Sequence, residues 1–96
     1  MTYSLEFVES ALKEWRKLSP SIREQLKNKL RERLTNPHVA AARLHGMPNC
    51  YKIKLRSIGY RLVYQVNDKV IVVTVIAVGR RDKGLVYLSA KGRSKI

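Results

Sequence analysis

Lys52, Lys54 and Arg56 recur at every second position of the segment CYKIKLR, and Arg61 follows after a short break. Side chains of an extended strand alternate between its two faces, so Tyr51, Ile53 and Leu55 share one side and the three cations share the other. One face is core and one is cationic. In the next run Tyr60, Leu62, Tyr64 and Val66 form the apolar set, which leaves Arg61 on the alternate side with Val63 and Gln65. A hairpin register that aligns the apolar faces brings Arg61 beside Lys52 and Lys54. Directly opposed like charges destabilise a sheet, so such a face calls for an anion between them. The competing reading is a solvated strand face whose lysines guard a sheet edge.

Arg80 and Arg81 leave the apolar run Val70–Val78 at its C-terminal end, and Tyr87 follows six residues after Arg81. The turn there can set an arginine and a tyrosine at the border of the same face. Arginine matches a phosphate with its planar fork, and a tyrosine ring stacks on a nucleobase. Ordinary packing is the alternative for Tyr87. Other chemistries find little support. His38 and His45 lie in a loop and read as surface or packing residues, and there is no glycine-rich phosphate cradle or serine elbow. Asp68 sits in a turn and Asp82 among bases, so no carboxylate pair stands ready for a metal, and no cofactor is implied.

The site needs a scaffold, and the composition limits its size. The 96 residues allow one domain, 1–96, and an apolar share of 45% suffices for a small core. Twenty Lys and Arg against seven Asp and Glu give a net charge of +13. Charge of this density gains binding free energy by releasing counterions from phosphates, so RNA, DNA or an acidic protein is the natural partner. Residues 51–96 carry eleven basic and two acidic side chains, which sets the polyanion site mostly in the second half. Lys27, Lys29, Arg31 and Arg33 read as the wet face of a helix. The lone Cys50 cannot form an intrachain disulfide and favours a reducing compartment. Glu6 and Glu9 break up the N-terminus and Thr74 interrupts the longest apolar run, so neither a secretion signal nor a membrane span is expected.

Period-two alternation of Tyr3, Leu5 and Phe7 predicts an opening strand with one buried face. Ala11, Leu12, Trp15 and Leu18 follow helical spacing. Ser19 and Pro20 then start a second helix with a cap and a first-turn proline, its stripe running through Ile22, Leu26, Leu30 and Leu34 until Asn36 and Pro37. A loop leads to three strands, Cys50–Leu55, Tyr60–Val66 and Val70–Val78, whose short connections force antiparallel neighbours. The last strand is apolar almost throughout, as expected of a central strand covered on both sides. After a polar turn over Arg80, Arg81, Asp82 and Lys83, Leu85–Ala90 is a short helix or an extended segment. The fold class is α+β: an N-terminal strand, two helices, an antiparallel sheet and a short C-terminal segment.

The runs CYKIKLRSIGYRLVYQV and VIAVGRRDKGLVY, with ALKEWRKL and RLHGMP before them, resemble the RelE family of bacterial toxins over nearly the whole chain. The resemblance implies the RelE-like fold of the microbial-ribonuclease type. It also implies a cytoplasmic, metal-independent endoribonuclease that enters the ribosomal A site and cuts messenger RNA. The family's active-site residues correspond to Lys52, Lys54, Arg61, Arg81 and Tyr87, and its RNA contacts to Arg56, Arg80, Lys83 and His45. The implied reaction is attack of a ribose 2′-hydroxyl on the adjacent phosphate. Crowding by Lys52 and Arg61 would favour Lys54 as general base, Arg61 with Lys52 would stabilise charge on the phosphate, and Tyr87 would stack on or orient the nucleotide. The family assigns Arg81 to the leaving group, where arginine, which holds its proton, suits charge stabilisation better than proton donation.

The implied partners are a RelB-like antitoxin that wraps the domain, the ribosome with its RNA and messenger RNA, and, jointly with the antitoxin, the operator DNA of its own operon. His45 stands where the family has an arginine. Asp82 and Lys83 keep the family's charge signs, while Gly84 and the ending KGRSKI lower helix propensity and leave the terminal helix open. Two other functions fit the same fold: a ParE-like toxin that blocks DNA gyrase without hydrolysis, and a catalytically degenerate RNA-binding module.

Overall fold

The computed structural model describes residues 2–80 and 84–93. The order of elements is β1 (Ser4–Phe7), α1 (Glu9–Arg16), α2 (Pro20–Thr35), a 3-10 turn at Ala40–Ala42, β2 (Cys50–Leu55), β3 (Tyr60–Asn67), β4 (Val72–Arg80) and α3 (Leu85–Arg93). The strands form one sheet in the order β1-β4-β3-β2. The three later strands pair antiparallel, as their short connections require, and β1 joins β4 in parallel after the helical crossover.

The helices α1 and α2 cover one side of this sheet. Ala11, Leu18, Leu26 and Leu30 pack there with Tyr51, Ile53, Leu55, Leu62, Tyr64, Val66, Val73, Val75 and Val78. These are the alternate residues of the strands, together with the stripe predicted for the second helix. Ser19 caps α2 by accepting from the Ile22 amide (3.4 Å), with Pro20 at its first position. The other side carries a smaller cluster of Met47, Cys50, Val63, Ile76, Ala77, Val86 and Ala90, closed by α3. Between Val63 and Tyr64 the pairing slips by one residue, because Val63 faces Ala77 whereas Tyr64 faces Val75. Ile76 is the extra residue of a β-bulge, and so two successive residues, Ile76 and Ala77, join the α3 side.

Several boundaries differ from the sequence expectation. Val70 and Ile71 belong to the β3–β4 turn, where Ile71 has a φ of 57° and Val70 is 62% exposed. Their β propensity yields to the turn geometry. The strand runs on through Gly79 to Arg80, so Arg80 is a strand residue and not part of the polar turn. Leu5 is 38% exposed, and β1 has no fully buried face because it lies at the sheet's edge. The C-terminal segment is a helix in spite of Gly84 and Gly92. Gly84, at a φ of 70°, leads into it, and burial of Val86 and Ala90 supplies what propensity lacks. Arg33 leaves the wet face assigned to α2 and turns inward. Among the described residues no helix is long and apolar enough to cross a membrane.

Candidate active site

The hairpin register sets Lys54 directly opposite Arg61 and Lys52 opposite Val63, while Arg61 faces Gly79 on its other side. The expected cationic face therefore exists, on the side of the sheet that α3 covers. Lys52 and Lys54 are half-buried, and Arg61 is only 6% exposed. Its Nη1 donates to the carbonyl of Tyr60 (3.0 Å), and among the described residues no carboxylate pairs with it. A guanidinium cannot shed its proton to escape burial, and a buried charge without a counter-charge is costly. An anion entering here gains the attraction of Arg61, which has no carboxylate partner among the described residues.

The strand carrying the lysines is an edge strand, and three attachments fix it. Arg33 of α2 donates from Nη1 to the Lys52 carbonyl (3.1 Å) and to the Tyr64 hydroxyl (3.0 Å). That hydroxyl donates in turn to the Pro37 carbonyl (2.8 Å). Burial pushes the Tyr64 phenol's pKa up, against the smaller opposite pull of Arg33. Beneath the strand Tyr51 stacks on Tyr64 at 5.6 Å, with His38 edge-on to Tyr51 at 6.0 Å. On the open edge the Leu44 amide donates to the Cys50 carbonyl (3.0 Å). Arg33 went unrecognised in the sequence although its position, three residues after Leu30, lies on the buried stripe of α2.

Helix α3 brings Tyr87 to the same side. Val86 sits over Gly79, where an added Cβ would come 3.3 Å from Val86 Cγ2. Tyr87, half-buried, packs on the small cluster and lines a groove of about 410 Å³ with Leu44, His45, Met47, Leu88 and Lys91. His45 is thus gathered toward Tyr87, and it is exposed. Arg56 is exposed in the turn after β2. Arg80 pairs with Tyr60, so alternation gives it the face opposite to Arg61 and Gly79. It does not border the cationic face as expected. Arg81 and Lys83 lie outside the described residues.

A larger cleft, about 770 Å³, opens at the other end of this side of the sheet between Glu6, Asn49, Gln65, Asp68 and Thr74. Its two carboxylates outnumber its one cation, Lys69, and do not favour a polyanion. The cationic face is the better candidate. Among the described residues no three His, Cys, Asp or Glu side chains lie together as a metal cage.

The family model for the ParE toxin of type II toxin–antitoxin systems matches residues 5–84. The mRNA interferase toxin RelE of Escherichia coli is 60% identical over 97% of this chain and 98% of its own. The chain belongs to the RelE/ParE toxin family. Solved RelE structures carry the same fold. A double arginine-to-alanine mutant of E. coli RelE in the free state superposes with a TM-score of 0.90 at 59% identity, covering 97% of this chain and 98% of that one. RelE in the intact E. coli RelBE toxin–antitoxin complex gives 0.81 at 62% identity, over 84% and 99% of the two chains. Within this fold, Lys52, Lys54 and Arg61 share the sheet side that α3 covers.

Proposed function

We propose that the chain is a toxin endoribonuclease, an mRNA interferase acting in the cytoplasm on messenger RNA held in the ribosomal A site. The observation that carries this reading is Arg61, a buried cation with no carboxylate partner among the described residues, facing Lys54 across the hairpin. The high identity to proteins named mRNA interferases supports it.

In this reading the scissile phosphate sits between Lys54 and Arg61. Lys54, in its neutral form, takes the proton of the ribose 2′-hydroxyl as general base while that oxygen attacks the phosphorus. Arg61 and Lys52 stabilise the added negative charge at phosphorus. The bond to the 5′-oxygen then breaks, leaving a 2′,3′-cyclic phosphate on one fragment and, after protonation, a 5′-hydroxyl on the other. Arg81 stabilises the departing oxygen, and Tyr87 stacks on or orients the base. Arg56, Lys83 and His45 contact RNA around this centre. Arg80, on the other face, reaches only RNA that passes the end of the sheet. No step calls on a metal or a cofactor.

The free enzyme would poison translation, so a RelB-like antitoxin neutralises it, and the pair binds the DNA of its own operon. Complexes of RelE with RelB support such a partner. Primer extension on a translated messenger RNA, with ribosomes and then without, tests the reading. Cleavage only on ribosomes is expected, and intact message under both conditions overturns it. The ParE name of the matching family model favours a second function, inhibition of DNA gyrase without hydrolysis. A supercoiling assay distinguishes the two: blocked gyrase with uncut message would favour the second.

A further inference from the structure

The end of α3 is tied to the sheet by an ion pair that the reaction does not use. Strand β1 ends opposite Val75, so β4 has no strand partner on that side from Ile76 onward, where the bulge also lies. Two charged side chains take over the exposed backbone groups. Glu14 of α1 accepts at Oε1 from the Val78 amide (3.2 Å), and Arg93 of α3 donates from Nη1 to the Ile76 carbonyl (3.0 Å). They also grip each other in a fork, Nη1 to Oε1 at 2.8 Å and Nη2 to Oε2 at 3.1 Å. The Arg93 and Glu14 side chains are 26% and 33% exposed, respectively, which shelters the pair from water.

Helix α3 has nine residues and contains Gly92, too short to hold its shape alone. Its buried contacts, Val86 and Ala90, are apolar, and apolar contact has no direction of its own. Such a helix can slide or turn on the sheet unless something fixes its register. The Glu14–Arg93 fork, anchored to two backbone groups of β4, supplies that fix. Tyr87 lies six residues before Arg93, about 9 Å along the axis at 1.5 Å per residue. We propose that Glu14 and Arg93 are positioning residues that hold α3 in the register which sets Tyr87 over the groove beside His45, on the sheet side that carries Lys52, Lys54 and Arg61.

The proposal rests on the ribonuclease reading and on the place of Tyr87 in it. The test is single-turnover cleavage of ribosome-held message by the full chain. Arg93→Ala and Glu14→Ala should each lower the saturating rate on the order of tenfold, as expected for a misplaced orienting group, with little change in the toxin concentration needed for half-saturation. Arg93→Lys, which keeps the charge without the fork, should recover part of the rate and serves if the alanine variants do not fold. In a Tyr87→Ala background Arg93→Ala should cost nothing more. Equal losses in both backgrounds, or full-rate cleavage by Arg93→Ala, overturn the proposal. A wild-type chain that cuts nothing overturns the functional reading instead. Positioning is then judged by amide exchange, where Arg93→Ala must speed exchange at Tyr87 and Ala90 and leave Leu62 and Tyr64 unchanged, and any other pattern refutes it.

Discussion

Lys54 and Arg61 stand directly opposite each other on β2 and β3, two like charges at one register position, with Arg61 almost wholly buried. Opposed like charges weaken a sheet. Replacing Arg61 with methionine should therefore separate stability from activity. The thermal midpoint of Arg61→Met should equal or exceed that of wild type, since a buried charge with no carboxylate partner among the described residues is removed. Cleavage should fall by about 10² to 10³, the usual cost of losing one preorganised charge-stabilising group. A melting curve beside the ribosome assay checks both halves, and a clear drop in stability would contradict the electrostatic argument.

Arg33 acts at a distance from the phosphate. Arg33→Ala removes its bonds to the Lys52 carbonyl and the Tyr64 hydroxyl. Urea unfolding should show a loss of about 1–3 kcal/mol, the cost of leaving buried polar groups without a charged donor. Cleavage should weaken as well, because β2 holds Lys52 and Lys54 in place. Arg31→Ala, an exposed neighbour, should leave both unchanged.

The acid limb of the stability curve depends on Asp68. The Tyr3 hydroxyl donates to it at 2.6 Å, and His38 lies 3.0 Å from the same carboxylate. The Tyr3 hydrogen bond, followed by His38, holds the Asp68 carboxyl below its ordinary range, while Asp68 pushes the Tyr3 phenol above its own. For a lowered carboxyl, the stability gained is present above the unfolded pKa and is lost as pH falls through the folded one. For the raised phenol, it is present below the unfolded pKa and is lost as pH rises through the folded one. Tyr3→Phe should reduce stability near neutrality and flatten both limbs. Unfolding free energies measured from acid to alkaline pH check this, and a curve parallel to wild type would count against it.

Gly79 lets α3 approach the sheet. Gly79→Ala sets a Cβ at 3.3 Å from Val86 Cγ2, so the helix must give by a few tenths of an ångström. A cost of about 1 kcal/mol is expected, typical of mild overpacking. Val86→Ala in the same chain should relieve the clash, although it adds its own loss of burial. The two effects should be non-additive in a double-mutant cycle.

Much of this was legible in the sequence. Alternation in CYKIKLR and YRLVYQV fixed which residues share a face, and because the strand period is two, only the register remained to bring Lys54 against Arg61. Caps and spacing gave α2 to within a residue at each end. The sequence was a poor guide wherever long-range contacts override local preference. Val70 and Ile71 look like strand residues and form a turn, while Leu85–Ala90 reads as either a short helix or an extended segment and is part of the helix Leu85–Arg93 because Val86 and Ala90 find a face to cover.

By itself, then, the sequence determined most of the elements and the alternation that sets Lys52, Lys54 and Arg61 on one face, since periodicity and charge are properties of a chain read along its length. Only the tertiary structure decided the burial of Arg61, the inward turn of Arg33, the exclusion of Arg80 from the face and the fork between Glu14 and Arg93. Those depend on which distant segments meet. Two residues 79 positions apart become neighbours only after the sheet has formed and left an edge for them to close.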